Sequence, residues 1–168
     1  MVNMGMRQVS EYEIDAKDKK IIQALFENAR FSIADIAKKT GIRRDSIIYR
    51  LKKLQEKDVI LGFQPMINPP ALGFPNVAIV LLRSQLKKMS EKNEFIRKVK
   101  QKPEIVHMTV LMGKYDYYLA IIYKDQNQLF KLLEEINLIM PGYIIDYEML
   151  QIVEEPKYED MLGVVLSK

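Results

Sequence analysis

The stretch "GIRRDSIIYRLKKL", Gly41 to Leu54, decides how this chain is read. Ile47, Leu51 and Leu54 fall at i, i+4 and i+7, so they line one side of an α-helix and face inward. Arg44, Asp45, Ile48, Tyr49 and Lys52 then point outward. An outward Ile48 and Tyr49 are odd choices for plain solvent. They suit the major groove of DNA, where an apolar group meets a thymine methyl and a phenol hydrogen-bonds to a base edge. The plain alternative is a solvated charged face of the kind many globular proteins carry.

Charge placement favours the first reading. The chain has 168 residues and a net charge of +4. Residues 1–68 hold 13 Lys and Arg against 9 Asp and Glu, and the remainder holds 13 of each, so the whole excess lies in the first part. Between Arg30 and Lys53 there are 8 basic residues and 2 acidic ones. A local basic patch beside a neutral remainder implies one anion-binding module and one module with another task.

Upstream of Gly41 two more helices are predicted. The first follows Asp15 as N-cap, with Asp18 in its first turn and an inner stripe of Ile21, Ile22, Leu25 and Phe26. The second follows Ser32, with Asp35 three residues on in a capping-box pattern, and ends at Thr40. Gly41 supplies the left-handed residue that closes many helices. Downstream, "VILGFQPMI" alternates as a short strand pair turning at Gly62. Two helices joined by a tight glycine turn, the second one basic, form a helix-turn-helix pattern; the preceding helix and the trailing strand pair make it winged.

"NPPALGFP", Asn68 to Pro75, holds three prolines and a glycine in eight residues. It cannot continue a helix or a central strand, and it marks a linker. The predicted organisation is a DNA-binding domain over 1–66, a linker over 67–76 and a second domain over 77–168. In that second part the periodicity moves towards two. Strands are predicted at 77–84, 105–112, 116–124 and 143–153. Helices are predicted at 90–102, capped by Ser90 with Phe95, Ile96 and Val99 inside, and at 126–140. The order β-α-β-β-α-β is that of a ferredoxin-like domain, an antiparallel sheet with both helices on one face. The fold class is therefore α+β. The other sheet face needs cover, and a second copy of the chain is the expected cover.

Other classes are narrowed by composition. Without cysteine there are no disulfides or thiolate metal sites, and a single histidine argues against zinc. No apolar run approaches the ~18 residues of a membrane helix, and the N-terminal residues lack a signal-peptide core. A cytoplasmic location, no membrane association and no cofactor are expected.

Residues 14–153 resemble the Lrp/AsnC family of bacterial and archaeal transcription regulators. The likeness rests on "IDAKDKKIIQALFENARFSIADIAKKTGI", "SIIYRLKKLQEKDVILGF" and "NPPALGF", and on "VLMGKYDYYLAI" further on, which looks like the family's glycine-x-tyrosine-aspartate turn. The resemblance implies an N-terminal winged helix-turn-helix that binds double-stranded DNA. It also implies a ferredoxin-like regulatory domain of RAM type that makes homodimers, often assembled into octamers, and that senses an amino acid. Where this chain has Arg43, the family more often has a serine.

On this reading Arg44, Asp45, Ser46, Ile48 and Tyr49 contact bases, since recognition helices read with their N-terminal turns. Arg30, Arg50, Lys52 and Lys53 contact phosphates, Arg43 serves either task, and the helix start at Ser32 offers backbone N–H groups to a phosphate. The effector candidates are Met112, Gly113, Tyr115 and Asp116: turn N–H groups would hold a carboxylate and Asp116 would accept an ammonium. The plain alternative is a tight turn in which Gly113 supplies a positive φ and Asp116 bonds to backbone N–H groups. His107, alone on a strand, reads as structural. One enzyme alternative shares this two-domain build, a siroheme decarboxylase, but no Arg/His-lined haem pocket is visible in the sequence.

Overall fold

The computed structural model describes residues 9–85 and 88–168. The predicted stretch 1–8 of the first domain lies outside them. The chain forms two compact units, one from residues 9–65 together with 156–168 and the other from 66–155.

The first unit contains α1 (Ala16–Glu27), α2 (Ile33–Thr40) and α3 (Arg44–Glu56). Each start and stop has a local cause. Asp15 caps α1, accepting from the amides of Lys17 and Asp18, while the Asp18 carboxylate accepts from the Asp15 amide. The Ser32 hydroxyl accepts from the Asp35 amide, and the Asp35 carboxylate accepts from both the Ser32 amide and its hydroxyl. Gly41 closes α2 at φ +71°, with its N–H on Ala37 O at 2.9 Å. The core is small: Ile21, Ala24, Ile36, Ile42 and Ile47, with Leu25, Phe31 and Leu51 at its edge. Phe26, expected inside, is exposed because its place on α1 lies beyond this narrow stripe.

The strand pair expected after α3 is not formed. The amides of Val59 and Ile60 both turn back to donate to Leu54 O, which wraps the chain around the end of α3. Pro65 then lacks the N–H that a ladder would need. The closing segment also differs from expectation. Its helix α6 (Leu162–Ser167) packs on α1 in the first unit, and Lys168 Nζ pairs with Glu11 at 2.6 Å.

The second unit opens with a 3₁₀ turn over Pro69–Leu72, closed by Gly73 at φ +83°. It continues through β1 (Asn76–Ser84), α4 (Met89–Val99), β2 (Ile105–Val110), β3 (Tyr117–Tyr123), α5 (Gln126–Ile139) and β4 (Ile144–Gln151). Helix α4 starts one residue before the expected Ser90 cap. Lys88 holds the cap position with no side-chain bond. All pairings are antiparallel, in the order β2-β3-β1-β4. Alternation splits the sheet. Ala78, Val80, Leu82, Leu119 and Ile121 are buried with Phe95, Val99, Leu129, Leu132 and Ile136 of the two helices. Inside this core Tyr117 and Tyr143 share a hydroxyl bond of 2.7 Å against the Phe95 ring. Burial and that bond push the Tyr117 phenol well above its ordinary pKa. Val77, Ile79, Leu81, Tyr118 and Ile122 form the opposite face and are only half-buried.

Candidate nucleic-acid interface

Helix α3 is set by the Gly41 turn and by two anchors. Thr40 Oγ1 donates to Ile36 O at 2.7 Å, and its oxygen accepts from the Ile42 amide at 3.3 Å, so the turn is tied to α2. Ile47 and Leu54 are fully buried and Leu51 is half-buried. Burying each large aliphatic stabilises by roughly 1.5–3 kcal/mol. The opposite side carries Arg44, Asp45, Ile48, Tyr49 and Lys52. Ile48 is 53% exposed and Tyr49 65% exposed, as their spacing requires. Ser46 is half-buried beside them.

The start of α3 is open. Arg43 takes the N-cap position at φ −61°, ψ 141° and makes no side-chain cap bond. Its first-turn amides therefore lack the partner a serine would give, and its guanidinium stays exposed. Arg30, in the turn between α1 and α2, is exposed, and its backbone N–H is held by Asn28 Oδ1 at 2.9 Å. Lys52 is exposed, 3.7 Å from Glu56.

Three of the expected phosphate contacts are arranged differently. Arg50 is turned away from the exposed face: its Nη1 donates to Asp15 Oδ2 at 2.6 Å and to Asp18 Oδ1 at 2.7 Å. The buried Asp18 carboxylate draws the guanidinium inward. These carboxylate bonds raise the Arg50 pKa, Asp18 first among them. Lys53 is half-buried and lies 5.3 Å over the Tyr12 ring. At α2 the Ser32 N–H is already taken by Asp35, whose carboxyl is held below its ordinary pKa by the Ser32 hydroxyl and amide. Tyr12 and Asp18 complete the cluster behind α3. No local pattern signals them, since Asp18 and Arg50 lie 32 residues apart.

In the second unit, the four residues singled out all lie in the β2–β3 turn. Gly113 adopts φ +157°, a backbone that side chains rarely adopt, and Met112 is fully exposed. Asp116 Oδ2 accepts from the Ser84 amide at 2.7 Å and the Ser84 hydroxyl at 3.0 Å. The carboxylate thus ties the turn to the end of β1. The Tyr115 hydroxyl donates to Glu148 Oε2 at 2.7 Å, with Lys114 Nζ 4.8 Å over the Tyr115 ring. A groove of about 550 Å³ runs between α5 and β4, and none of the four lines it. His107 shares a 2.8 Å bond with Thr109 and meets Tyr118 edge-on.

The sequence pattern of the AsnC-type helix-turn-helix domain matches residues 14–55, from the lead into α1 to the end of α3. The chain is 39% identical over 122 residues to the HTH-type transcriptional regulator Ptr1 of Methanocaldococcus jannaschii, covering 73% of this chain and 80% of that protein. It is 33% identical over 126 residues to the HTH-type transcriptional regulator FL11 of Pyrococcus furiosus, covering 75% and 82%. Among solved structures, Escherichia coli AsnC superposes with a TM-score of 0.76 at 22% identity, over 90% of this chain and 99% of that one. The fold is likewise shared with the transcriptional regulator NMB0573/L-Met complex from Neisseria meningitidis, at TM-score 0.77 and 21% identity, over 87% and 94%.

Proposed function

The chain belongs to the Lrp/AsnC family of transcription regulators, and from that premise we propose how it reads DNA, assembles and responds. It is a DNA-binding regulator and not an enzyme, in keeping with relatives that are transcriptional regulators. The finer reading assigns base contacts to Arg44, Asp45, Ser46, Ile48 and Tyr49, with Arg30, Arg43 and Lys52 on the flanking phosphates. The observation that carries it is the exposure of Ile48 and Tyr49 between cations, on a helix whose inner side is fully occupied. An apolar pair in water at that place has no structural task; in a major groove it has one. Lys53 keeps a phosphate role through its terminal ammonium, at the edge of the patch.

A homodimer formed through the open sheet face would present two copies of α3. Its site is then a rough palindrome with half-sites about 34–36 Å or a multiple apart. Val77, Ile79, Leu81 and Ile122 support this assembly, because a half-covered aliphatic face on an antiparallel sheet gains by pairing with itself. Octamers built from such dimers are the larger form of the same proposal. An amino acid held at Met112, Gly113, Tyr115 and Asp116 would act by favouring one assembly over another. The L-Met complex of the Neisseria meningitidis regulator supports that part, while the engagement of Asp116 by Ser84 means an ammonium would share that carboxylate. A cytoplasmic site of action is part of the same proposal, since that is where a DNA-binding regulator meets its DNA.

The test is selection of bound duplexes from a random pool, followed by anisotropy titration of the winner over a salt series. Log K should fall with log salt at a slope of about −0.9 per phosphate contact. No enriched sequence, or a flat salt series, would overturn the reading. Thermal-shift screening against the twenty amino acids tests the effector; no shift with any of them would leave a constitutive regulator.

A further inference from the structure

We infer that Arg50 is a positioning residue for DNA recognition: it fixes the roll of α3 through the carboxylates of α1 and makes no phosphate contact. The inference rests on the DNA reading above and concerns what holds the reading helix in register.

Helix α3 is anchored along one line. Ile47 and Leu54 are its two fully buried side chains. They stand seven residues apart, so at about 100° per residue they lie on nearly one line along the helix. Two pins on one line resist tilting. They resist rolling poorly. Leu51 lies roughly 40° to one side of that line and is half-buried. Arg50 lies roughly 60° to the other side. It is the off-line point that opposes roll in the second direction.

The receiving carboxylates are rigid. Asp15 Oδ1 accepts from the amides of Lys17 at 2.7 Å and Asp18 at 2.9 Å, which leaves Oδ2 aimed at Arg50 Nη1. Asp18 Oδ2 accepts from the Asp15 amide at 3.3 Å and the Tyr12 hydroxyl at 3.5 Å, which leaves Oδ1 for Arg50. Both acids are therefore locked by the start of α1 before the arginine reaches them. The Asp18 side chain is 2% exposed and that of Arg50 21%. A phosphate would have to draw the guanidinium away from two carboxylates and strand a buried charge. The neighbouring residue, Tyr49, points to the groove. A roll of 15° moves an atom about 6 Å from the helix axis by about 1.5 Å. A base hydrogen bond tolerates about 0.5 Å. Loosening Arg50 should thus damage base reading and spare general attraction to DNA.

The experiment uses the full chain, a selected duplex and a random-sequence duplex, with anisotropy over a salt series. Arg50→Gln and Asp18→Asn should each weaken the selected duplex by about tenfold and the random one by less than about twofold, with the salt slope unchanged. The double variant should lose no more than the worse single variant. Arg50→Lys should recover part of the preference. Asp15→Asn keeps a good N-cap and so keeps the fold. It should lose preference in the same direction by a smaller factor, and it decides the matter if the other variants fail to fold. Equal weakening on both duplexes with the slope lower by about 0.9 in Arg50→Gln would mean a phosphate contact and would overturn the inference. Unchanged or tighter selected binding in Asp18→Asn and Asp15→Asn would also overturn it. Failure of the wild-type chain to bind any duplex would overturn the DNA reading itself, and so tells the two apart.

Discussion

Two surfaces of this molecule expose aliphatic and aromatic side chains, and charge tells them apart. On α3, Ile48 and Tyr49 stand among Arg43, Arg44 and Lys52, with Asp45 beside them and Glu56 against Lys52. On the open sheet face, Ile79 stands opposite Ala120 and Leu150 in the register, with His107 beyond Ala120 and no Lys, Arg, Asp or Glu in the row. The next row places Leu81 opposite Tyr118 and Glu148. Apolar groups in a cationic field fit a polyanion whose grooves carry methyl groups. Apolar groups in a neutral row fit a copy of themselves. Exposure alone names no partner; its surroundings do.

The comparison breaks most visibly at the sheet. Ile79→Asp places a charge in the middle of that apolar row, and the proposed dimer should weaken by more than about 100-fold, because an unpaired charge would be buried at the interface. Sedimentation equilibrium would read it, with α1–α3 still folded by circular dichroism. A dimer unchanged by this variant would mean that the cover of the sheet lies elsewhere. On the other surface, Arg30→Ala should weaken binding to selected and random duplexes alike, by a fewfold, and lower the salt slope by about 0.9. An unchanged slope would remove Arg30 from the phosphate set.

The smallest effect concerns the acids that fix the helix starts. Partial burial pushes the Asp15 carboxyl up, but the Asp18 amide, the Arg50 guanidinium and the Lys17 amide outweigh it and hold it below its ordinary value of 3.8. Asp35 is held low by Ser32. A group depressed in the folded state stabilises it above the unfolded pKa, and this support fades as pH falls through the folded value. The first unit should therefore lose thermal stability below about pH 4, with Asp15 contributing part of the loss. Asp15→Asn should flatten part of that fall in a melting series. An identical pH profile would show that the carboxylate contributes nothing there.

Much of this arrangement is legible in the sequence because it is local. Asp15, Ser32 and Gly41 mark their helix ends through bonds to residues within four positions. Ile47, Leu51 and Leu54 orient α3 by spacing alone, which also places Ile48 and Tyr49 outside. Strand order follows from alternation and connection length. What escapes the sequence is non-local. Arg50 reads as one more basic residue until α1 brings Asp18 beside it. The stretch after α3 alternates like a strand, yet Val59 and Ile60 bond back to Leu54 instead. The helix at 162–167 is too short to announce the surface of α1 that receives it. Asp116 carries a turn signature whose atoms serve Ser84, a partner visible only once β1 and β3 are paired.

Base reading by the outward pair on α3 can be measured directly. The direct measurement is the ratio of affinities for a selected and a scrambled duplex, taken for the wild-type chain and for Tyr49→Ala at one salt concentration. Tyr49 is 65% exposed, so its removal should leave the fold intact. Tyr49→Ala should lower the ratio by about tenfold through loss on the selected duplex, with the scrambled one unchanged. An equal loss on both duplexes, or no loss on either, would contradict it.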